Sequence, residues 1–314
     1  SEIDKPEVIQ SKTTTTNLMQ VTKYSSIEQK IKLFRQYFRG RDDVYAVRTE
    51  RTTGKAVYYP KRQYLGKENG KHVWGENLPL TDQVIKAHLQ QETPPVSIGI
   101  YPLLLNDTCW FLAIDFDKET WQIDAQAFLA TCQEHAVPAS LERSRSGNGG
   151  HVWIFFEEAI PAKTARLMGS ALLTLTLEKR SHIGLDSYDR MFPNQDTLPR
   201  VKKLGNLIAL PLQRIPGKDG NSLFVDQKME PYQDQWIYIS SIRKMKKTEV
   251  EALVEHVKQQ GSILKIANPL NDEENTEDEP WKRSATSQNF VISGEFPAIV
   301  KAVISNKLYL HKEG

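Results

Sequence analysis

Phe111-Leu112-Ala113-Ile114-Asp115-Phe116-Asp117 is an apolar, strand-like run that ends in two aspartates one residue apart. Side chains alternate faces along a strand, so positions i and i+2 point the same way. Asp115 and Asp117 therefore share one face and Phe116 takes the other. Two carboxylates side by side repel, and burying both without compensation is costly. A divalent cation is the commonest compensation. The plain alternative is a strand running out into a polar loop, and a lone Asp-X-Asp does not separate the two.

Outward from this run, strands and helices alternate. Ser97–Leu105 and Cys109–Asp117 read as adjacent strands joined at Asn106-Asp107. Trp121–Ala136 reads as a helix with Ile123, Phe128 and Leu129 inward. Ala139–Glu142 is a short strand, Arg143–Gly150 a polar, glycine-rich loop, and His151–Phe156 a strong strand. Ala162–Arg180 is a helix rich in Leu and Ala, and Asn206–Leu212 a further strand. This alternation with a hairpin argues for an α+β fold rather than a sandwich. Towards the N-terminus, Ser25-Ser26-Ile27-Glu28-Gln29 resembles a capping box. Ile27, Ile31, Phe34 and Phe38 form a helical stripe, with Gly40 as its C-cap. Val44–Arg48 and Ala56–Tyr59 pair across a Thr-Gly-Lys turn. Residues 60–78 read as a basic loop, and a helix opens at Thr81 or Asp82 and runs to Gln90. Thr248–Gln260 is a helix with Val250, Leu253, Val254 and Val257 inward.

Composition narrows the function classes. With 39% hydrophobic and 25% charged residues, the 314-residue chain has the make-up of a soluble globular protein. Its formal net charge of +2 provides no global basic field, so any nucleic-acid contact must come from a local patch. Two cysteines, Cys109 and Cys132, are too few for a tetrahedral cysteine zinc site; both read as core residues in a reduced, cytoplasmic setting. No run approaches the ~18 apolar residues that span a bilayer.

Three further stretches carry chemistry. In Ser144-Arg145-Ser146-Gly147-Asn148-Gly149-Gly150-His151, the glycines permit positive φ and close backbone approach. Successive N–H groups in such a loop can cradle phosphate oxygens, and His151 can donate to one. Arg143 and Arg145 favour an anionic ligand, because the guanidinium fork suits phosphate. The bland reading is a glycine turn with a structural histidine. Gly184–Asp196 offers Asp186, Asp189 and Asp196, any of which can complete a metal site begun by Asp115 and Asp117. Capping and turn chemistry is the ordinary use of such residues. Finally, Arg200, Lys202 and Lys203 precede Asn206–Gln213, and Arg214 and Lys218 follow it. That arrangement suits a triphosphate or template-phosphate patch, or an ordinary solvated surface. There is no Walker A sequence, dinucleotide fingerprint or nucleophile elbow.

These pieces, in this order, resemble the archaeo-eukaryotic primase (PrimPol) superfamily. That family carries an acidic pair on a strand, a Gly/Ser loop ending in a strand-borne histidine, and a third acidic residue. The match here is Asp115 with Asp117, then Ser146–His151, then Asp189, with Asp186 and Asp196 as substitutes for the last. Phe111–Asp117, Glu142–Phe156, Ser187–Asp196 and Gly205–Gln213 look most like the primase domain of TOTE conflict systems. Phe34–Tyr45 and Leu78–Val84 add weaker support. There are two departures. Family members carry a cysteine cluster before the Leu78–Asp82 segment, whereas residues 60–77 hold none, only His72, so no structural zinc is expected. Many members place a lysine or arginine within the glycine loop, where Asn148 and Gly149 stand here; Arg143 or Arg145 can supply that charge.

The resemblance implies an α+β primase-polymerase core, an RRM-like sheet plus an N-terminal αβ module, with a helical C-terminal extension. It divides the chain into a flexible leader (1–24) and a catalytic domain (25–240, split at 95/96 into an N-terminal part and a metal- and nucleotide-binding core). A helical extension (241–270), an acidic linker (271–280) and the tail of a truncated chain (281–314) follow. It implies a DNA primase and DNA-directed polymerase acting on a single-stranded DNA template with NTPs or dNTPs. Two Mg²⁺ or Mn²⁺ ions about 4 Å apart would be held by Asp115, Asp117 and Asp189. Nucleotide contacts fall to Ser146, Gly147, Asn148, Gly149, His151 and Arg145, with Arg190, Arg214 and Lys218 as weaker candidates. Template contacts fall to Arg200, Lys202, Lys203 and the basic stretch 60–77. Helicase and nuclease regions are expected on the same full-length polypeptide, and no membrane. The competing classes are a non-catalytic nucleic-acid-binding module and a metal-dependent nuclease using the same aspartates.

Overall fold

The computed structural model describes residues 20–50, 56–92, 95–180, 184–198 and 204–259. The first half of the chain runs α1 (Ile27–Tyr37), β1 (Ala46–Glu50), β2 (Ala56–Pro60), β3 (Arg62–Glu68), β4 (Lys71–Asn77), α2 (Asp82–Gln90) and β5 (Ile98–Ile100). Next come β6 (Thr108–Asp117), α3 (Trp121–Glu134), β7 (Ala139–Arg143), β8 (Gly149–Pro161), α4 (Ala162–Lys179) and β9 (Tyr188–Phe192). The described part closes with β10 (Ile208–Ala209), α5 (Arg214–Gly217), β11 (Leu223–Phe224), α6 (Gln235–Ser241) and α7 (Lys247–Gln259).

Alternation along β6 and β8 builds the fold. Leu112, Ile114 and Phe116, with Val152, Ile154 and Phe156, face α3, α4 and α7 in one apolar cluster. Phe111 and Ala113, with Trp153 and Phe155, face α1, α2, β5 and β10 in a second. Strands covered on both faces need apolar residues at nearly every position, which is why the run reads as continuous rather than alternating. The sheet has the order β11-β7-β8-β6-β9, with every pairing antiparallel. The order of elements β6-α3-β7-β8-α4-β9 is a split βαβ repeat, the RRM-like arrangement. A second sheet, β10-β5-β1-β2, belongs to the N-terminal αβ part. The fold is thus α+β, as the alternation predicts.

Local signals fix several elements. Ser26 caps α1 with the reciprocal Ser26/Gln29 bonds of a capping box. Thr81 caps α2 through the Val84 N–H. Both thiols, Cys109 and Cys132, are buried in the helix-side core.

Several expectations are corrected. Residues 60–78 are not a loop: β3 and β4 form a hairpin whose turn, Asn69-Gly70, has φ of 49° and 77°. Two successive positive φ values define the turn that best matches strand twist, and Asn-Gly is its strongest signal. Ser97–Leu105 does not pair with Cys109–Asp117. Only Ile98–Ile100 is a strand, and it pairs with β1 and β10 in the other sheet. Pro102 has no N–H to extend the ladder. Of Asn206–Leu212, only Ile208–Ala209 is a strand, since Pro211 follows and Leu212 has a φ of 63°. Ile123 is 62% exposed, because α3 turns Trp121, Asp124, Ala125 and Phe128 inward instead. Gly40 is not the cap of α1, which ends at Tyr37 with Phe38 as C-cap. A Cβ on Gly40 would lie 2.6 Å from the Tyr101 carbonyl oxygen, so glycine serves close approach there. The Thr-Gly-Lys turn, the acidic run 271–280 and the tail 281–314 lie outside the described residues.

His88 ties the N-terminal helix pair to the second sheet. Fully buried on α2, it donates from Nε2 to the Pro211 carbonyl at 2.9 Å and accepts at Nδ1 from the Ile98 N–H at 3.2 Å. Only the neutral ring satisfies both partners. Burial pushes its pKa from 6.5 down to about 4. The unfolded chain therefore takes up this proton first, and the contribution is complete above pH 6.5 and lost as pH falls towards 4. Up to roughly 3 kcal/mol is at stake over that window. Wild type should lose more Tm between pH 7 and 4.5 than His88→Gln does, whatever the variant's Tm at pH 7. Equal losses in thermal melts would refute this assignment.

Candidate active site

The inner face of the main sheet changes character towards one end. On β6 the face bearing Phe111 and Ala113 continues into Asp115 and Asp117. On β8 the face bearing Phe155 and Trp153 continues into His151. The apolar part is an aromatic layer: Trp153 stacks on Phe155 at 5.9 Å, and Phe111 and Phe38 lie 5.1 and 5.2 Å from Trp153. Asp115 pairs in register with His151, and Asp117 with Gly149. Phe116, on the opposite face, packs against Phe128 of α3 at 5.8 Å. The expected sharing of one face by Asp115 and Asp117 is thus observed.

A bulge brings in the third carboxylate. On the other side of β6, Asp115 pairs with Arg190 and Phe116 with Tyr188, leaving Asp189 as the extra residue. Such a residue breaks the two-residue alternation and re-aims its side chain. Asp189 and Arg190 are consequently both exposed, and the Arg190 Nε donates to Asp189 Oδ2 at 2.6 Å. Of the two substitutes, Asp196 is held by the Nε of Arg166 at 2.7 Å, and Asp186 lies on the exposed approach to β9.

The cluster is electrostatically strained. Burial raises the pKa of Asp115; Asp189 and Asp117 raise it further, against the opposing pull of His151 and Arg190. Burial alone would push His151 down. Glu142 and Asp115 overcome that and hold its pKa at about 9. His151 Nδ1 donates to Glu142 Oε2 at 2.6 Å, and its Nε2 lies 3.6 Å from Asp115 Oδ1.

Two acidic residues of this neighbourhood escape sequence reading. Glu142, only 2% exposed, sits opposite His151 on β7 and also accepts from the Trp153 indole at 3.4 Å. In sequence it is one more charged residue at the end of a short strand, and only the register reveals its partner. Asp124 is 1% exposed on α3. It accepts from the Ser187 hydroxyl (2.6 Å) and N–H (3.1 Å), from Thr120 (2.9 Å) and from Arg180 (2.5 Å). Burial alone would raise its pKa, but these bonds hold it below the usual carboxylate value. Ser187 in turn accepts the Asp117 N–H at 2.7 Å, so Asp124 braces the loop that sets β9 beside β6.

The glycine loop lies against the same strand end. A Cβ on Gly149 would approach the Phe116 carbonyl oxygen to 2.7 Å, and one on Gly150 the Trp121 ring to 2.6 Å. Ser146 Oγ accepts the Asn148 N–H at 3.2 Å, and Gly147 has a φ of 78° beside Asn221. The Arg143 guanidinium donates to the carbonyls of Gly220 and Met229. Arg145 crosses to the other sheet and donates to Ser97 and Gln213. With Arg48, Glu50, Pro95 and Ser97 it lines a cavity of about 200 Å³. Arg214 and Lys218 are exposed on and just after α5, and Arg214 donates to the Gln90 carbonyl at 3.4 Å. Arg200, Lys202 and Lys203 lie outside the described residues.

The family model described as the archaeo-eukaryotic primase domain of TOTE conflict systems matches residues 29–253. The chain belongs to that family. The βαββαβ sheet with its N-terminal αβ part is this primase domain's form of the primase-polymerase fold. Among solved structures, it is similar to the polymerase domain of Mycobacterium tuberculosis Ligase D in complex with DNA. The identity is 10%, covering 76% of this chain and 87% of that one, with a TM-score of 0.36. So distant a likeness carries none of the argument that follows. No curated protein matches the chain. Among the described residues of the primase domain, no helix is long and apolar enough to cross a membrane.

Asp124→Ala should destabilise the domain by about 3 kcal/mol, because it leaves Arg180 and Ser187 unpaired in a buried position. Urea unfolding with an unchanged m-value measures this. A loss below about 1 kcal/mol would remove Asp124 from the bracing role.

Proposed function

We propose that this domain is a DNA primase-polymerase that transfers nucleotidyl groups from NTPs or dNTPs on a single-stranded DNA template. The observation that carries this reading is the strand register that gathers Asp115, His151 and the bulged Asp189 at one end of the main sheet. Family membership supports the same chemistry.

Among the described residues no three His, Cys, Asp or Glu side chains are closed into a ligand set. The donor chemistry nevertheless suits a hard cation: all three are carboxylates, and Asp115, its pKa raised by burial, is raised further by Asp189 and Asp117. Asp115, Asp117 and Asp189 would hold Mg²⁺ or Mn²⁺. Such ions, when bound, supply activation of the 3′-hydroxyl and neutralisation of the leaving pyrophosphate. No protein acid or base is required beyond positioning and charge.

The remaining roles follow from where the side chains lie. His151, charged and oriented by Glu142, keeps Nε2 on the side of Asp115, where it can donate to a phosphate oxygen. Ser146 and the N–H groups of Gly147, Asn148 and Gly149 line the adjoining loop. Burial and the neighbouring Arg48 both disfavour the charge on Arg145, and an anionic ligand would relieve that. Arg190, Arg214 and Lys218 are secondary phosphate contacts, and Arg200, Lys202 and Lys203 template contacts. Helicase and nuclease regions on the same polypeptide and a cytoplasmic setting complete the proposal.

Asp115→Ala and Asp117→Ala should each abolish nucleotide incorporation on single-stranded DNA, with and without primer, in Mg²⁺ or Mn²⁺. Their Tm should not fall, since removing one carboxylate relieves repulsion. Full incorporation by the double variant would defeat the metal assignment. Degradation of the labelled strand without added nucleotide would favour a nuclease instead. His151→Ala should raise the KM for nucleotide about ten-fold or more, as expected for loss of a charged hydrogen bond of about 1.5–3 kcal/mol. An unchanged KM would count against its phosphate role.

A further inference from the structure

The β3–β4 hairpin is an arm. Among the described residues its two strands pair only with each other. Its base is tied down: the Lys61 N–H donates to the Tyr45 carbonyl at 2.8 Å, and the Leu78 N–H to the Lys61 carbonyl at 2.8 Å. Past that base most side chains are exposed.

One face of the arm is aromatic. Tyr64 stands opposite Trp74, and Lys67 opposite His72. Directly opposed residues share a face, as do His72 and Trp74 two positions apart. The ring centroids lie 5.2 Å (Tyr64–Trp74), 5.6 Å (Tyr64–His72) and 6.3 Å (His72–Trp74) apart, and the Tyr64 hydroxyl is 3.3 Å from His72 Nδ1. The rings thus hold one another in place, yet Tyr64 and Trp74 remain 51% and 49% exposed. Two large rings fixed in position and half in water are available to a partner.

The charge says which partner. Residues 61–77 carry four cations (Lys61, Arg62, Lys67 and Lys71) against two acids (Glu68 and Glu76), a net +2 that equals the formal charge of the whole chain. Lysines along an exposed strand also discourage edge pairing with another protein strand. Fixed π-faces among cations are what a flexible polyanion with stacking bases requires, and every base has a face to offer.

We infer that the hairpin is a stacking platform for single-stranded DNA, with bases laid on Tyr64 and Trp74 and phosphates met by Lys67, Lys71 and Arg62. The inference deepens the template-directed reading above and takes its choice of DNA from it. It also makes the arm a site separate from the carboxylate cluster.

The test is an anisotropy titration of labelled oligothymidine with the whole chain, without nucleotide, at several salt concentrations. Tyr64→Ala/Trp74→Ala should weaken binding by about ten-fold or more per lost stack, with the salt slope kept. Lys67→Glu/Lys71→Glu should weaken binding and flatten the salt dependence. Trp74→Phe keeps a π-face and should retain most of the affinity, which separates stacking from collapse of the hairpin. The inference is overturned if wild type does not bind oligothymidine, or if neither double variant changes the affinity. It is also overturned if the aromatic variant dissolves a dimer in sedimentation while DNA affinity stays the same. A chain that binds through the arm but incorporates nothing keeps this inference and defeats the polymerase reading. A chain that incorporates nucleotide while its affinity ignores both variants does the reverse.

Discussion

The ladder between Thr108–Asp117 and Gly149–Pro161 is the constraint on which the rest of the structure depends. Both strands are buried on two faces for most of their length, so neither face can be exchanged for the other. A slip of one residue would carry Asp115 and His151 into the apolar layer under α3 and α4, and Phe116 and Val152 out of it. Uncompensated burial of a carboxylate among Leu112, Met168 and Leu172 would cost several kcal/mol, far more than a strained turn. Register is thus set by the core, and the polar end of the sheet inherits its geometry from packing some distance away.

That inherited geometry sets charges against one another. His151 lies between Glu142 and Asp115, and Arg190 lies beside Asp189. Each cation is matched locally, yet Asp115 is still held above its usual pKa. Burial is the main reason, with Asp189 and Asp117 adding to it against His151 and Arg190. Glu142 has a separate part: by accepting the Nδ1–H it fixes the ring so that Nε2 lies towards Asp115, much as an outer carboxylate orients a ligating histidine elsewhere.

How much of this was legible in the sequence depends on the range of the interaction. The facing of Asp115 and Asp117 follows from strand alternation, and the caps at Ser26 and Thr81 from residues within one turn. These held. The neighbours of β6 did not follow, since sequence proximity suggested residues 97–105 while the structure supplies β8 and β9. Asp189 was readable as an acidic residue in a turn-rich loop, but not as the bulged one, because a bulge is a property of two strands together. Glu142 and Asp124 carried no local signal at all. The Asn69-Gly70 hairpin differs: its turn signal is local, but the density of Lys and Arg around it makes 60–78 look like a basic loop.

Arg145 links the two layers and limits how far the site can be described one sheet at a time. It leaves the glycine loop of the main sheet and donates to Ser97, which leads into β5, and to Gln213, which follows β10. Ser97 also donates to Gln213 at 3.0 Å, and Gln91 at the end of α2 donates to Ser97 at 2.8 Å. The loop beside Asp117 is therefore held by the N-terminal part. An arginine used this way is both a tether and, with Arg48 beside it, an underpaired cation. A ligand phosphate that drew the guanidinium away would loosen the tether as it bound. A ligand phosphate there would thus act on loop position through one side chain, the same one that ties the glycine loop to the N-terminal sheet.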